Sequence, residues 1–335
     1  MEYVTLGKTG LRVSRLGLGG IPIQRGGREQ ARALLDAVHA AGINYIDTAR
    51  LYTTSEALIG EAIQGRRQDF VLATKAKVVD GAAMAASIEE SLTNLRTDYI
   101  DLYQIHNPEM EEYERIIAPG GALEAMQEAK AAGKIGHLGI TAHSAEVLLR
   151  ALEEPWVETV MFPFNLVENH GAAVLKKCRE KGVAFIAMKP LAGGAIDDVR
   201  LALRFIAAER DVTVVIPGMF GAEEVAQNCA AMEDTAPLTA EEHEKMEQLR
   251  RELGNVFCRR CGYCAPCTAG IDIPRCFIFH GYLKRYHMPD FGRHSYEGLK
   301  VHASACVGCG ACESRCPYHL PIREMLKEVA ADFGN

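Results

Sequence analysis

The sequence has no run approaching the ~20 consecutive apolar residues of a membrane-spanning helix, which excludes a chain threaded through a bilayer by helices. It opens Met-Glu-Tyr-Val-Thr, without a basic stretch leading into an apolar one. That predicts no secretory leader and a soluble, cytoplasmic protein. An excess of positive charge is also missing. The 37 Lys and Arg stand against 44 Asp and Glu, a formal −7, so there is no electrostatic footprint for nucleic acid. Cysteine is scarce over most of the chain, where only Cys178 and Cys229 precede position 258. A secreted disulfide framework would need an export signal, so metal binding is the expected role of the remaining cysteines.

What is present is length, apolar content and alternation. The 335 residues, 48% of them hydrophobic, can bury a large core and form two domains. Residues 3–15 read as two short strands about a Gly turn. Further strand-like runs fall at 16–20, 44–48, 71–75, 100–106, 135–141, 159–165, 184–189 and 213–217. Helical patterns such as Glu29–Ala41 lie between them, and several end in Gly (Gly133, Gly182). Alternation of this kind predicts a parallel sheet covered by helices. Eight units favour a closed (β/α)8 barrel over an open doubly wound sheet. Thr239–Leu253 is helical, opened by a capping box of Thr239 and Glu242 and stopped by Gly254. The first domain is expected to span 1–254 and the second 255–335.

Three of the strands close on titratable residues: Asp47 after Ile43–Ile46, Lys75 after Phe70–Thr74, and His106 after Tyr99–Ile105. Tyr52 follows Asp47 in a polar loop. A lone residue of these types is usually a helix cap or a surface group. Four at the ends of barrel strands belong where such barrels do chemistry. A free tyrosine titrates near ~10, too high for proton transfer at neutral pH. A neighbouring ammonium favours the phenolate, and a carboxylate fixes that ammonium.

Together "IDTA…Y…SE…G", "VLATK" and "TDYIDLYQIH" resemble the aldo/keto reductase family over roughly the first three quarters of the chain. The resemblance implies Tyr52 as proton donor, Lys75 and Asp47 as the pair tuning it, and His106 as the group orienting a carbonyl. It implies a hairpin plugging the barrel floor and a small carbonyl or alcohol substrate. Its cofactor positions fall on Thr141, Asn165, Met188, Lys189, Leu191, Gly193, Gly218, Glu224 and Asn228. Many members hold the cofactor's 2′-phosphate with basic residues and a serine, where this chain has Gly218, Met219 and Glu224. The resemblance therefore implies NAD(P)H with NADH favoured over NADPH, because Glu224 repels a phosphate. The family's stacking aromatic appears as Met188, and Ala142 and Met161 replace two of three polar nicotinamide contacts. The acidic stretch Asn107–Glu114 reads as a loop that either disfavours anionic substrates or is only a solvated face.

Nine of the eleven cysteines lie from Cys258 onward. This tail carries ten Lys or Arg against seven Asp or Glu from residue 255, a formal +3 that suits enclosed anionic metal–thiolate centres or an acidic partner. Cys258, Cys261, Cys264 and Cys267 form one run, and Cys306, Cys309, Cys312 and Cys316-Pro317 another. The second matches the bacterial ferredoxin pattern C-x2-C-x2-C-x3-C-P. Zinc sites use separated pairs rather than tight triplets, so two [4Fe–4S] clusters are the better reading. By the ferredoxin crossover, Cys258, Cys261 and Cys264 join Cys316, while Cys306, Cys309 and Cys312 join Cys267. Cys276 is the alternative to Cys267, since the first run lacks the usual spacing and proline. Similar phrases after each run, Ile271-Asp-Ile-Pro274 and Leu320-Pro-Ile322, point to an internal repeat. A mainly helical ferredoxin-like domain is expected, with an aromatic helix near 278–287. Cys178 and Cys229 read as core thiols.

The expected function is an aldo/keto reductase-type oxidoreductase whose clusters exchange electrons, with a ferredoxin-type partner or directly with the substrate. An iron–sulfur redox sensor on a barrel scaffold is the alternative.

Overall fold

The structure, a computed structural model, describes residues 1–168, 170–254 and 256–334. Packing divides the chain into two compact units. The first comprises Met1–Asn165, Asn169–Pro190 and Asp198–Pro237, and the second Leu166–Glu168, Leu191–Asp197 and Leu238–Asn335. The helix Ala240–Gly254 thus packs with the second unit, although the sequence alone suggests a boundary after it.

In the first unit, β1 (Tyr3–Thr5) and β2 (Arg12–Ser14) form an antiparallel hairpin. Eight parallel strands follow: β3 (Leu18–Gly19), β4 (Tyr45–Asp47), β5 (Val71–Ala76), β6 (Ile100–His106), β7 (Ile135–Thr141), β8 (Thr159–Pro163), β9 (Ala184–Met188) and β10 (Val214–Ile216). Their order in the sheet is their order in sequence, as in a (β/α)8 barrel. Parallel bridges Leu16–Val215 and Gly19–Gly218 join the first strand to the last and close the cylinder.

Strand alternation sorts the core. Tyr45, Val71, Ala73, Leu102, Met161, Ala184, Ile186, Val214 and Ile216 point inward and pack with Leu6 and Val13 of the hairpin. The hairpin therefore plugs the lumen. Ile46, Leu72, Tyr103, Ile105, Ile140, Val160, Phe162 and Phe185, on the opposite parity, pack against the helices. Gly17 has no room for a side chain, since a Cβ there would lie 2.8 Å from the Tyr45 ring.

The acidic stretch after β6 is not a loop. Met110–Ile117 is a helix, with Glu109 and Glu112 in a reciprocal capping box and Tyr113 and Ile116 buried on one face. Helix formation there is local and cap-driven, which composition alone conceals.

The second unit is helical: Ala240–Gly254, Ile273–Lys284, Pro289–Glu297, Ala311–Arg315 and Ile322–Phe333. The predicted capping box at Thr239 forms, with Thr239 N–H donating to Glu242 (2.8 Å) and Glu242 N–H to Thr239 Oγ1 (3.2 Å). Ile271, Ile273, Leu320 and Ile322, from the two similar phrases, enter one core with Phe277, Tyr296, Leu326 and four cysteines. Each cysteine run leads into a helix begun by its phrase, with Asp272 capping the first. No helix among the described residues is long and apolar enough to cross a membrane.

Candidate active site and cysteine centres

In the first unit, Asp47, Lys75, Gln104 and His106 occupy inward or rim positions on three neighbouring strands. Asp47 and Lys75 are each 2% exposed. Lys75 Nζ donates to Asp47 Oδ1 (2.5 Å) and to the Thr48 carbonyl (2.8 Å). Gln104 Nε2 donates to the other carboxylate oxygen at 3.1 Å. Burial drives the Asp47 carboxyl up and the Lys75 ammonium down, and their attraction for each other opposes both shifts. Lys75 Nζ lies 5.1 Å from the centre of the Tyr52 ring. The Tyr52 and His106 rings meet edge to face, centroids 6.1 Å apart. All four predicted residues converge.

Backbone bonds hold the loop bearing Tyr52: Arg50 N–H to Lys75 O, Tyr52 N–H to Ala49 O, and Ser55 N–H to Tyr52 O (2.7 Å). Below it, the buried Glu56 carboxylate accepts from Thr74 Oγ1 and Arg50 Nη1, each at 2.7 Å. The sequence alone singles out neither Glu56 nor Gln104. The two-residue step from Gln104 to His106, which puts both on one face of β6, was the available signal. His106 is partly buried, and its Nδ1 is shielded without a hydrogen-bond partner. Burial first, then Lys75, Lys77 and Lys189, depress its pKa well below the ordinary value.

The expected cofactor residues are divided between the units. Leu191 and Gly193 belong to the second, where Arg285 Nε donates to Gly193 O at 3.2 Å. Within the first, Thr141 Oγ1 reaches Met188 Sδ (3.9 Å), and Asn165 Nδ2 donates to the carbonyl of Lys189 (3.0 Å). Gly218 lies exposed beside β3, and Glu224 and the buried Asn228 are one turn apart on Ala222–Glu233. The Glu224 carboxylate accepts from Phe220 N–H at 2.6 Å. Negative charge therefore already sits at this helix start, an end that would otherwise draw an anion.

The nine cysteines of the second unit are all free thiols, none of them in a disulfide. Cys267, Cys306, Cys309 and Cys312 line one pocket, partly open to solvent. Cys276 is not in that lining; it is buried on the helix Ile273–Lys284. Cys258 is pushed up to about 11 mainly by burial, with Cys261 and Cys316 adding repulsion. Cys264 is pushed to about 12 by burial, with Cys258 and Cys261 contributing. Thiols raised this way need a nearby cation to ionise. Zinc would draw its thiolates to about 3.8 Å of one another through bonds of about 2.3 Å. Among the described residues no three cysteine sulfurs come within 4.8 Å. Four thiols lining one pocket match the ligand number of a cubane cluster.

Sequence reading missed the surroundings of these thiols. Arg260, in the left-handed region (φ 59°), turns its N–H toward Cys258 Sγ at 3.4 Å. Its guanidinium pairs with the wholly buried Glu168 at 2.6 Å. Thr268 Oγ1 lies 3.1 Å from Cys309 Sγ, and this contact lowers the Cys309 thiol. A further group, His280, Glu328 and Asp332, has metal-type ligands, but Lys284 Nζ lies 3.0 Å from Asp332 and supplies the positive charge. Cys178 is buried in the barrel core, with Cys229 packed against it.

Comparison with known proteins gives two family matches: the aldo/keto reductase family over residues 15–200 and a 4Fe-4S dicluster domain over residues 257–321. The uncharacterized oxidoreductase YqkF of Bacillus subtilis is 33% identical over 214 residues, 59% of this chain and 67% of that protein. L-galactose dehydrogenase of Arabidopsis thaliana is 26% identical over 289 residues, 71% of this chain and 90% of that one. Among solved structures, the holo form of aldo-keto reductase AKR11C1 from Bacillus halodurans superposes with a TM-score of 0.66 at 28% identity. That match covers 74% of this chain and 96% of the other.

Proposed function

Because this chain belongs to the aldo/keto reductase family and carries a 4Fe-4S dicluster domain, we propose that it interconverts a small carbonyl compound and its alcohol while exchanging electrons through two [4Fe–4S] clusters. The observation that carries this reading is the buried Lys75–Asp47 pair directly beside the Tyr52 ring. When bound, the clusters supply single electrons and a nicotinamide supplies a hydride. Reduction of the carbonyl takes up two electrons and two protons in all.

The chain's own residues handle the proton and the orientation. Tyr52 delivers a proton to the carbonyl oxygen as charge develops there. Lys75 lowers the cost of the phenolate left behind, and Asp47, clamped by Gln104, keeps the ammonium in place. His106, held neutral, uses its ring edge to orient the carbonyl. Cys258, Cys261, Cys264 and Cys316 would hold one cluster, and Cys267, Cys306, Cys309 and Cys312 the other. Thr141, Asn165, Met188, Lys189, Leu191, Gly193, Gly218, Glu224 and Asn228 would hold the dinucleotide. Glu224 favours NADH, since its carboxylate opposes a 2′-phosphate. The working location is the cytoplasm, the substrate a small neutral carbonyl or alcohol, and an electron-carrier protein the redox partner.

Tyr52→Phe tests the reading in anaerobically purified protein. Turnover should fall by about 10²–10⁴-fold with iron and sulfide content unchanged. A variant that keeps full turnover would overturn Tyr52 as proton donor.

A further inference from the structure

The two cysteine centres of the second unit meet solvent differently. Among the eleven cysteines, all within the described residues, Cys309 alone is exposed. Val307, two residues earlier in the same run, is 71% exposed. The pocket at Cys267, Cys306, Cys309 and Cys312 opens partly to solvent, and its only charged lining residues are Arg315 and Arg323. Arg323 pairs with Glu313. Arg315 donates to the carbonyls of Cys264 and Pro266 (2.9 and 2.7 Å) and pairs with no carboxylate among the described residues. The other centre is more enclosed. Cys264 and Cys316 are buried, and Arg259 and Arg260 lie buried beside Cys258.

Electron transfer weakens steeply with distance, so an outside donor reacts at the centre whose ligand reaches the surface. An exposed apolar residue lining the same pocket as an arginine that pairs with no carboxylate among the described residues suits a protein of opposite sign, with charge steering the encounter and the apolar contact holding it. We propose that the Val307–Cys309 edge is the docking face for a small acidic iron–sulfur protein that exchanges electrons one at a time. The carrier is oxidised by one electron and the second centre reduced by one, with no bond made and no proton moved. The electron then passes to the centre at Cys258, Cys261, Cys264 and Cys316. This rests on the reading that both cysteine sets hold clusters.

The test uses the full-length protein with its clusters and a reduced, small acidic bacterial ferredoxin as donor, followed anaerobically by stopped-flow absorbance. Val307→Glu should slow reduction by the donor about tenfold at low ionic strength, with the difference shrinking as salt is added. Iron content, sulfide content and the electron paramagnetic resonance signals after dithionite reduction should match the parent. Tyr263→Glu, at a 63% exposed position in the other run, should stay within about twofold. Val307→Lys makes a similar steric change with the opposite charge and should slow reduction clearly less than Val307→Glu does. Equal slowing by both Val307 variants would overturn charge-steered docking. A larger loss in Tyr263→Glu than in Val307→Glu would move the port to the other centre. A parent protein without iron and sulfide would instead sink the cluster reading itself.

Discussion

His106 shows how burial sets a protonation state. Its ring is stripped of water and faces Lys75, Lys77 and Lys189, so its folded-state pKa is depressed. The unfolded chain takes up a proton on this residue as pH falls through ~6.5, while the folded chain does not. The stability tied to His106 is therefore complete above that pH and declines below it. In proton–carbon NMR spectra its ring should show no titration step between about pH 8 and 6. A midpoint near the free value would contradict a neutral, shielded imidazole. Lys75 and Asp47 obey a different balance. Each would be costly alone in a dry interior, and the contact between them is what lets both remain ionised.

The helix Ser55–Ala62 follows the Tyr52 loop and supplies Glu56 to the network under it. It packs backbone against backbone: a Cβ at Gly60 would stand 2.5 Å from the Asn94 carbonyl oxygen and 2.6 Å from Leu95 Cα. Neither of those atoms can yield cheaply. Gly60→Ala should destabilise the barrel by about 1–3 kcal/mol, measured by denaturant unfolding followed in the far ultraviolet. Turnover should fall too, because Glu56 moves with the helix. An unchanged midpoint would mean that the two helices separate more easily than their contact implies. Elements of this kind were readable in advance where period and punctuation agree, as in Arg28–Ala40 before Gly42. Met110–Ile117 was not, because its charged composition resembles a loop and its helicity rests on a cap and two buried side chains.

Each unit has its own core: one in and around the barrel, one built from cysteines, isoleucines and aromatics. The second includes the buried thiols Cys264 and Cys276, each raised to about 12 by burial. Binding of iron is then part of that unit's folding free energy. Anaerobic removal of iron should lower and broaden one calorimetric transition while the other keeps its midpoint. A single transition that falls as a whole would show that the two cores do not melt separately.

The residue order carried the alternation of strand and helix, the strand-end positions of Asp47, Lys75 and His106, and the tight spacing of Cys306, Cys309, Cys312 and Cys316. All of these are local, written within one strand or one turn, where side-chain period and cysteine spacing follow from covalent geometry. Folding alone decided which distant groups meet. Gln104 clamps Asp47 from 57 positions away, Arg260 finds Glu168 across 92, and Cys267 rather than Cys276 shares a pocket with Cys306, Cys309 and Cys312. Such choices depend on how the sheet closes and how helices pack, and no short window of sequence contains both partners.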